Sequence, residues 1–293
     1  MDWSRFKNIA ILSFVVLNLV LCVLIAEKKN KNYVLQDVQN RRMQTIFTNE
    51  NAALYTNILK EFYPMSMLRL SLANIDNSEV CKTFLGDVGN IKNYIDNEKV
   101  VYVEEGVGKV EIYKNGLIKY TKAILKVKKN NNAELDKEQL KNEADKYISK
   151  LNFLLGNHVY TQSNMINDGY VFEYNTSYKD KVVFSSYVKI HIKQNEITEV
   201  DILNFNINGY TNEQKEIASA DEVLINLLYS VKEKYYKTSK EMHIMDLDLG
   251  YFIDTTTIDD YLNIKAEPYY RVQINENDVY FINAYTNELL SGK

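Results

Sequence analysis

Apolar positions follow three regimes along this chain. The first is unbroken: Ile9 to Ala26 read IAILSFVVLNLVLCVLIA, 18 residues without a charge. As a helix this run is about 27 Å long, close to the roughly 30 Å hydrocarbon layer of a bilayer. It exceeds the usual apolar core of a cleaved signal peptide. No small-x-small site follows, because Leu24 stands where the first small residue belongs. Cys22 is a poor lipid attachment site, since Leu21 precedes it and four apolar residues follow. An uncleaved transmembrane anchor at 9–26, behind a short tail at 1–8, is the expectation. Ile11, Asn18 and Ile25 fall on one stripe of this helix at seven-residue spacing. The Asn18 amide, near mid-span, needs a hydrogen-bond partner, either a neighbouring helix or its own backbone.

The second regime, 27–48, has sparse apolar positions (Val34, Leu35, Val38, Ile46, Phe47) and predicts a helical stalk. Residues 50–62 read as helix and Met65–Leu72 as a strand.

The third regime is a unit that occurs three times, a capped helix leading to a strand–turn–strand. The first helix is expected from Asn77 to a stop at Gly86, followed by the hairpin KVEIYKNGLIKYT with Asn115-Gly116 at its turn. The second starts at Asp136, with Gln139 completing a capping-box pattern, and ends at Gly156. Strand candidates at 158–177 follow it, then the hairpin YVKIHIKQNEITEVDI. In that hairpin Val188, Ile190 and Ile192 point one way and Tyr187, Lys189 and His191 the other. The third helix opens on Ser219 and Glu222, and strands are expected at Met242–Ile253 and around Tyr270, Val272 and Ile274. The helix starts are unevenly spaced, which excludes a solenoid of fixed period. The expected fold is α+β: the anchor, the stalk, a first module at 49–126, and two further modules within 127–293, at about 133–210 and 211–293. Residues 127–137 read as the linker.

Residues 1–31 hold Asp2 and Glu27 against Arg5, Lys7, Lys28, Lys29 and Lys31. They carry +3 of a net formal charge of −4, leaving about −7 on the remainder. An acidic remainder offers no footprint for nucleic acid. The bases are nearly balanced across the anchor, so charge alone leaves its orientation open. The 23 tyrosines fit either the codon bias of an AT-rich genome or a carbohydrate-binding surface. Cys81 is the one cysteine outside the apolar run, so no internal disulfide is expected there. Its place on an apolar helix face marks a buried structural thiol.

No catalytic or metal motif is legible. His158, His191 and His243 have no metal-ligand spacing to one another or to a cysteine, and His191 reads as a solvated residue on a polar strand face. Asp246, Asp248, Asp254, Asp259 and Asp260 lack the EF-hand pattern. There is no nucleophile elbow, zinc-protease motif or P-loop, and Gly106-Val107-Gly108 precedes a strand rather than a helix. No cofactor is expected, and no enzymatic activity.

Two stretches resemble the YycI family of Gram-positive bacteria. One is Met1-Asp2-Trp3-Ser4-Arg5 running directly into the apolar span. The other is the closing pattern Glu267-Pro268, strands, and Phe281-Ile282-Asn283-Ala284-Tyr285-Thr286-Asn287-Glu288. Tyr269-Tyr270 replaces an expected tryptophan after the proline, and Asn287 replaces an expected glycine. The helix-plus-hairpin units also resemble PepSY-type modules. This resemblance implies a bitopic protein of the cell membrane, with a cytoplasmic N-terminus and an extracellular domain. It implies partners: a sensor histidine kinase of the WalK (YycG) type, whose two-component system controls cell-wall metabolism, and a YycH-like protein. Contact through transmembrane helices is implied, which makes Ile11, Asn18 and Ile25 the candidate contact stripe. A second reading is a PepSY-like envelope module, tethered by its anchor, that binds wall fragments or inhibits a protease.

Overall fold

The computed structural model describes residues 3–86, 91–123, 136–238, 241–253, 262–275 and 278–290. Asp2, most of the expected linker and the loop at 254–260 lie outside them. The described helices are α1 (Trp3–Asn32), α2 (Asp37–Asn49), α3 (Asn77–Leu85), α4 (Lys137–Leu155) and α5 (Ala220–Thr238). The strands are β1 (Ala52–Leu54), β2 (Met65–Leu72), β3 (Lys92–Asp96), β4 (Lys99–Glu104), β5 (Gly108–Tyr113), β6 (Ile118–Lys122) and β7 (His158–Ile166). They continue as β8 (Gly169–Tyr178), β9 (Lys181–Lys193), β10 (Glu196–Leu203), β11 (Phe205–Lys215), β12 (Met242–Phe252), β13 (Ile264–Ile274) and β14 (Asp278–Asn283). Two compact units result. One comprises Met1–Met65, Lys215–Asp248 and Tyr270–Lys293; the other comprises Ser66–Gln214 and Leu249–Tyr269.

The first unit carries the apolar run on α1, whose Phe6–Lys28 stretch contains an 18-residue window of mean hydropathy 3.0 and has no buried residue. It is long and apolar enough to cross a membrane. Immediately after α1 the chain is pinned by two backbone bonds, Leu35 N–H to the Lys60 carbonyl at 2.8 Å and Phe62 N–H to the Tyr33 carbonyl at 3.0 Å. The Tyr33 ring lies against Phe62 and Tyr63, and its hydroxyl donates to Glu216 at 3.0 Å.

The expected stalk is helical but not free-standing. Helix α2 packs on α5 and β1, and it buries Met43 and Phe47. A period-3.6 pattern with few apolar positions suffices because those few are large. Residues 50–62 are not a helix: Ala52–Leu54 form β1, parallel to Met242–Ile244 of β12. Helix α5 buries Val223, Leu224, Leu227, Leu228 and Val231, one stripe at helical spacing. Its start is held by the Ser219 N–H donating to Glu222 at 3.3 Å. Tyr270, Val272 and Ile274 are fully buried in β13, as their alternation predicts.

The second unit is a sheet with two helices on one face. Its antiparallel run β9–β10–β6–β5–β4–β3 continues on the other side of β9 through β8 to β7. The first expected hairpin is β5–β6, with Gly116 at φ +84° in its turn. The second is β9–β10. They are not separate modules. Val200 of β10 pairs with Tyr120 of β6, and Ile202 with Ile118, so the two hairpins share one sheet and one core. Val80, Phe84 and Leu85 of α3 and Leu140, Ala144, Ile148 and Leu151 of α4 bury the same face, against Val110, Phe172, Val188, Ile190, Ile192 and Val200.

Module boundaries at 49–126, 133–210 and 211–293 are thus replaced by the two units above. The physical reason is edge satisfaction. An isolated hairpin leaves unpaired N–H and C=O groups, and β6 and β10 satisfy each other's. The helix caps match the expectation in position with small shifts. Asp76, one residue before Asn77, accepts from the Ser78 N–H at 2.9 Å, and Asp136 accepts from the Glu138 N–H at 3.0 Å. Gly86 (φ +93°) and Gly156 (φ +65°) end α3 and α4.

Candidate functional site

Side chains alternate across a strand, so the face of the β8–β9–β10–β6–β5 sheet opposite the helices collects the polar positions. Strand register lines them up. Gln162, Glu173, Lys189, Asp201, Lys119 and Glu111 oppose one another in sequence across six strands. The row alternates in sign from Glu173 to Glu111, as opposite-charge cross-strand pairs favour. Gln162 donates to Glu173 at 2.8 Å, Lys189 reaches Glu173 at 3.4 Å, and Lys119 reaches Asp201 Oδ2 at 3.6 Å. Glu111 is held by Lys99 at 2.8 Å and Lys109 at 2.9 Å. Burial alone raises the Glu111 pKa, but the two lysines outweigh it and hold the carboxyl below its ordinary range.

The neighbouring row contains His191 directly opposite Glu199. One ring nitrogen of His191 and one oxygen each of Glu199 and Asp201 lie within 4.8 Å of one another. All three residues are half-buried, so the solvated reading of His191 is corrected. Burial lowers the His191 pKa against the opposing pull of Glu199 and Asp201. Burial raises that of Asp201, with Lys119 opposing. His191 Nε2 and Asp201 Oδ1 are sealed from solvent without a hydrogen-bond partner.

A scan for short metal-ligand spacing misses this group, because a hairpin brings together residues eight and ten apart. The signal was nonetheless in the pattern. Core-facing positions in β10 shift from odd to even numbers between Ile197 and Val200. That parity slip is the β-bulge observed between Ile197 and Glu199. Without it Thr198 would face His191. With it Glu199 and Asp201 do, while Thr198 donates to the His191 carbonyl at 3.3 Å.

The other candidates fall as follows. Ile11 and Ile25 are exposed on α1, and the Asn18 Nδ2 donates to the Phe14 carbonyl of its own helix at 2.8 Å. Trp3 is exposed, and nothing is described for the Ser4 side chain. Pro268 is buried in β13. Asn283 and Ala284 are also buried, and Asn283 Oδ1 accepts from the N–H groups of Tyr285 (2.8 Å) and Thr286 (3.2 Å), closing a turn. His158 Nε2 meets Thr176 Oγ1 at 3.2 Å within a buried polar network, where Thr176 contacts Ser186 at 2.7 Å. His243 pairs with Glu241 at 3.1 Å. Asp246 and Asp248 both pair with the buried guanidinium of Arg271. Cys81 is buried, and its thiol is pushed up to about 11 by burial and then by Asp76.

No protein-family model and no curated protein matches the sequence. Among solved structures the chain is similar to an uncharacterized protein from Eubacterium rectale. The TM-score is 0.51 at 14% identity, over 83% of this chain and 90% of that one. That likeness shows the fold, a mixed α+β arrangement. The C-terminal domain of Bacillus megaterium YpeB aligns at a TM-score of 0.39 and 14% identity, over 76% of this chain and 100% of that one.

Proposed function

We propose that this chain is a membrane-anchored regulator of a sensor histidine kinase of the WalK type, acting with a YycH-like protein. In this reading its N-terminus is cytoplasmic, its folded units are extracellular, and it performs no catalysis of its own. One observation carries the reading: α1 leaves its whole 23-residue span uncovered by the rest of the chain. A span that packs on nothing within its own protein is available to other transmembrane helices. Asn18 sharpens this. One amide hydrogen is satisfied by Phe14, whereas the side-chain oxygen has no donor among the described residues. A donor on a partner helix would contribute roughly 0.6–2 kcal/mol. Regulation then requires that α1 bind one signalling state of the kinase better than the other.

Replacing residues 6–28 by an unrelated transmembrane helix tests the reading, with kinase-dependent reporter output as the measurement. Lost regulation with normal membrane insertion is expected, and Asn18→Leu is expected to weaken helix association. Regulation retained with the foreign helix overturns the proposal and leaves the anchor as the tether of an envelope-binding module. Hydrolysis of wall polymers by the purified chain overturns the non-catalytic reading.

A further inference from the structure

We infer that His191, Glu199 and Asp201 form a binding site for a divalent transition-metal ion of the zinc or manganese class. The three donor atoms lie within 4.8 Å of one another. A cation with ligand bonds of about 2.0–2.2 Å draws such a set together through small side-chain rotations. Two carboxylates balance the charge of a divalent ion and suit manganese, and the imidazole favours zinc over calcium and magnesium, whose shells are built from oxygen.

A second observation is independent of proximity. His191 Nε2 and Asp201 Oδ1 are buried without a partner, although buried polar atoms are normally satisfied. Asp201 has a cation nearby, but Lys119 reaches the other oxygen, Oδ2, at 3.6 Å. Lys189, the next cation on this face, is drawn to Glu173 at 3.4 Å. The neighbouring ammonium groups therefore leave Oδ1 and the ring nitrogen unanswered.

The third observation concerns how the chain builds the cluster. The bulge between Ile197 and Glu199 interrupts an otherwise regular hairpin. It turns Glu199 and Asp201 to the polar face while keeping Val200 and Ile202 buried. A bulge that re-aims side chains without loss of core is the usual device next to a site. Three protein ligands leave further coordination positions for water or for a group from a partner.

The test uses the full-length chain in detergent micelles, stripped with a chelator and titrated by calorimetry with zinc chloride and, separately, manganese chloride. One saturable equivalent per chain is expected. The histidine imidazole NMR signals should shift on zinc addition at His191 and not at His158 or His243. His191→Gln and Glu199→Gln are expected to weaken binding by at least roughly tenfold. His191→Gln decides alone if Glu199→Gln fails to fold. Absence of saturable binding, or unchanged affinity in His191→Gln, overturns the inference. Because the readout is metal binding by the chain itself, failure here leaves the kinase proposal untouched, and the reverse also holds.

Discussion

The Tyr174 hydroxyl donates to Asp145 Oδ1 at 2.6 Å, tying the middle of α4 to β8 beneath it. Lys141, one turn back on the same helix, holds the other oxygen at 2.7 Å. Burial acts to raise the Asp145 pKa, and the two donors outweigh it, leaving the carboxyl below its ordinary value. Tyr174→Phe removes one donor and should cost about 1 kcal/mol in denaturant unfolding. The pH dependence has a fixed sign. A depressed folded pKa contributes stability that is complete above the unfolded value of roughly 3.9 and is lost as pH falls through the folded one. The difference between parent and variant should therefore be constant near neutrality and shrink in acid. A difference that grows below pH 4 would contradict the assignment.

Helix α2 offers a direct contrast between core and stalk. Phe47 is 2% exposed and Val38 is 59% exposed, nine residues apart on one helix. Phe47→Ala should cost about 3–5 kcal/mol, whereas Val38→Ala should stay within about 0.5 kcal/mol. Equal, small effects in thermal unfolding would mean that α2 is a free-standing stalk after all.

Asn287 has φ +57° and accepts from Asn226 through its main-chain oxygen at 2.5 Å. A residue without a Cβ adopts this conformation freely, and a β-branched one resists it. Asn287→Gly should leave stability almost unchanged, since the main-chain acceptor survives. Asn287→Val should lower it by roughly 1–2 kcal/mol. The order of the unfolding midpoints, glycine near asparagine and valine well below, is the check.

Cys81 should be inert in the native protein. With its pKa near 11, only about one thiol in a thousand is ionised at pH 8, and the thiolate is the reactive form. In a Cys22→Ser background, a maleimide should label the chain only after denaturant is added. Rapid native labelling would mean that α3 opens readily.

Much of this fold is written in short-range patterns. Asn115-Gly116, the alternation of Val188, Ile190 and Ile192, and the apolar stripe of α5 each state their structure within a dozen residues. What lies beyond such a window is pairing. Nothing near Ile118 announces Ile202 as its neighbour, so two hairpins that read as separate modules turn out to share a sheet. Residues 50–62 misled for a related reason. Their apolar spacing suits a helix, but Ala52–Leu54 gain a parallel partner in Met242–Ile244, some 190 residues away. The His191 cluster was half legible: its polar face was correct, and the parity slip at Ile197 marked the bulge. Its burial was not, since that depends on strands β6 and β8 on either side.

Unit one is assembled from three separated stretches of chain, and this sets an order of events on the ribosome. The apolar helix is made before every partner that closes the core of this unit. Met43 and Phe47, a few residues behind it, wait for α5, which follows only after about 170 residues of intervening chain. The buried Tyr270, Val272, Ile274 and Ile282 arrive last of all. A polypeptide interrupted before residue 270 would thus carry an unfinished core in this unit. Removal of the strands that carry these residues should therefore open the remainder of unit one to proteolysis, far from the site of the cut.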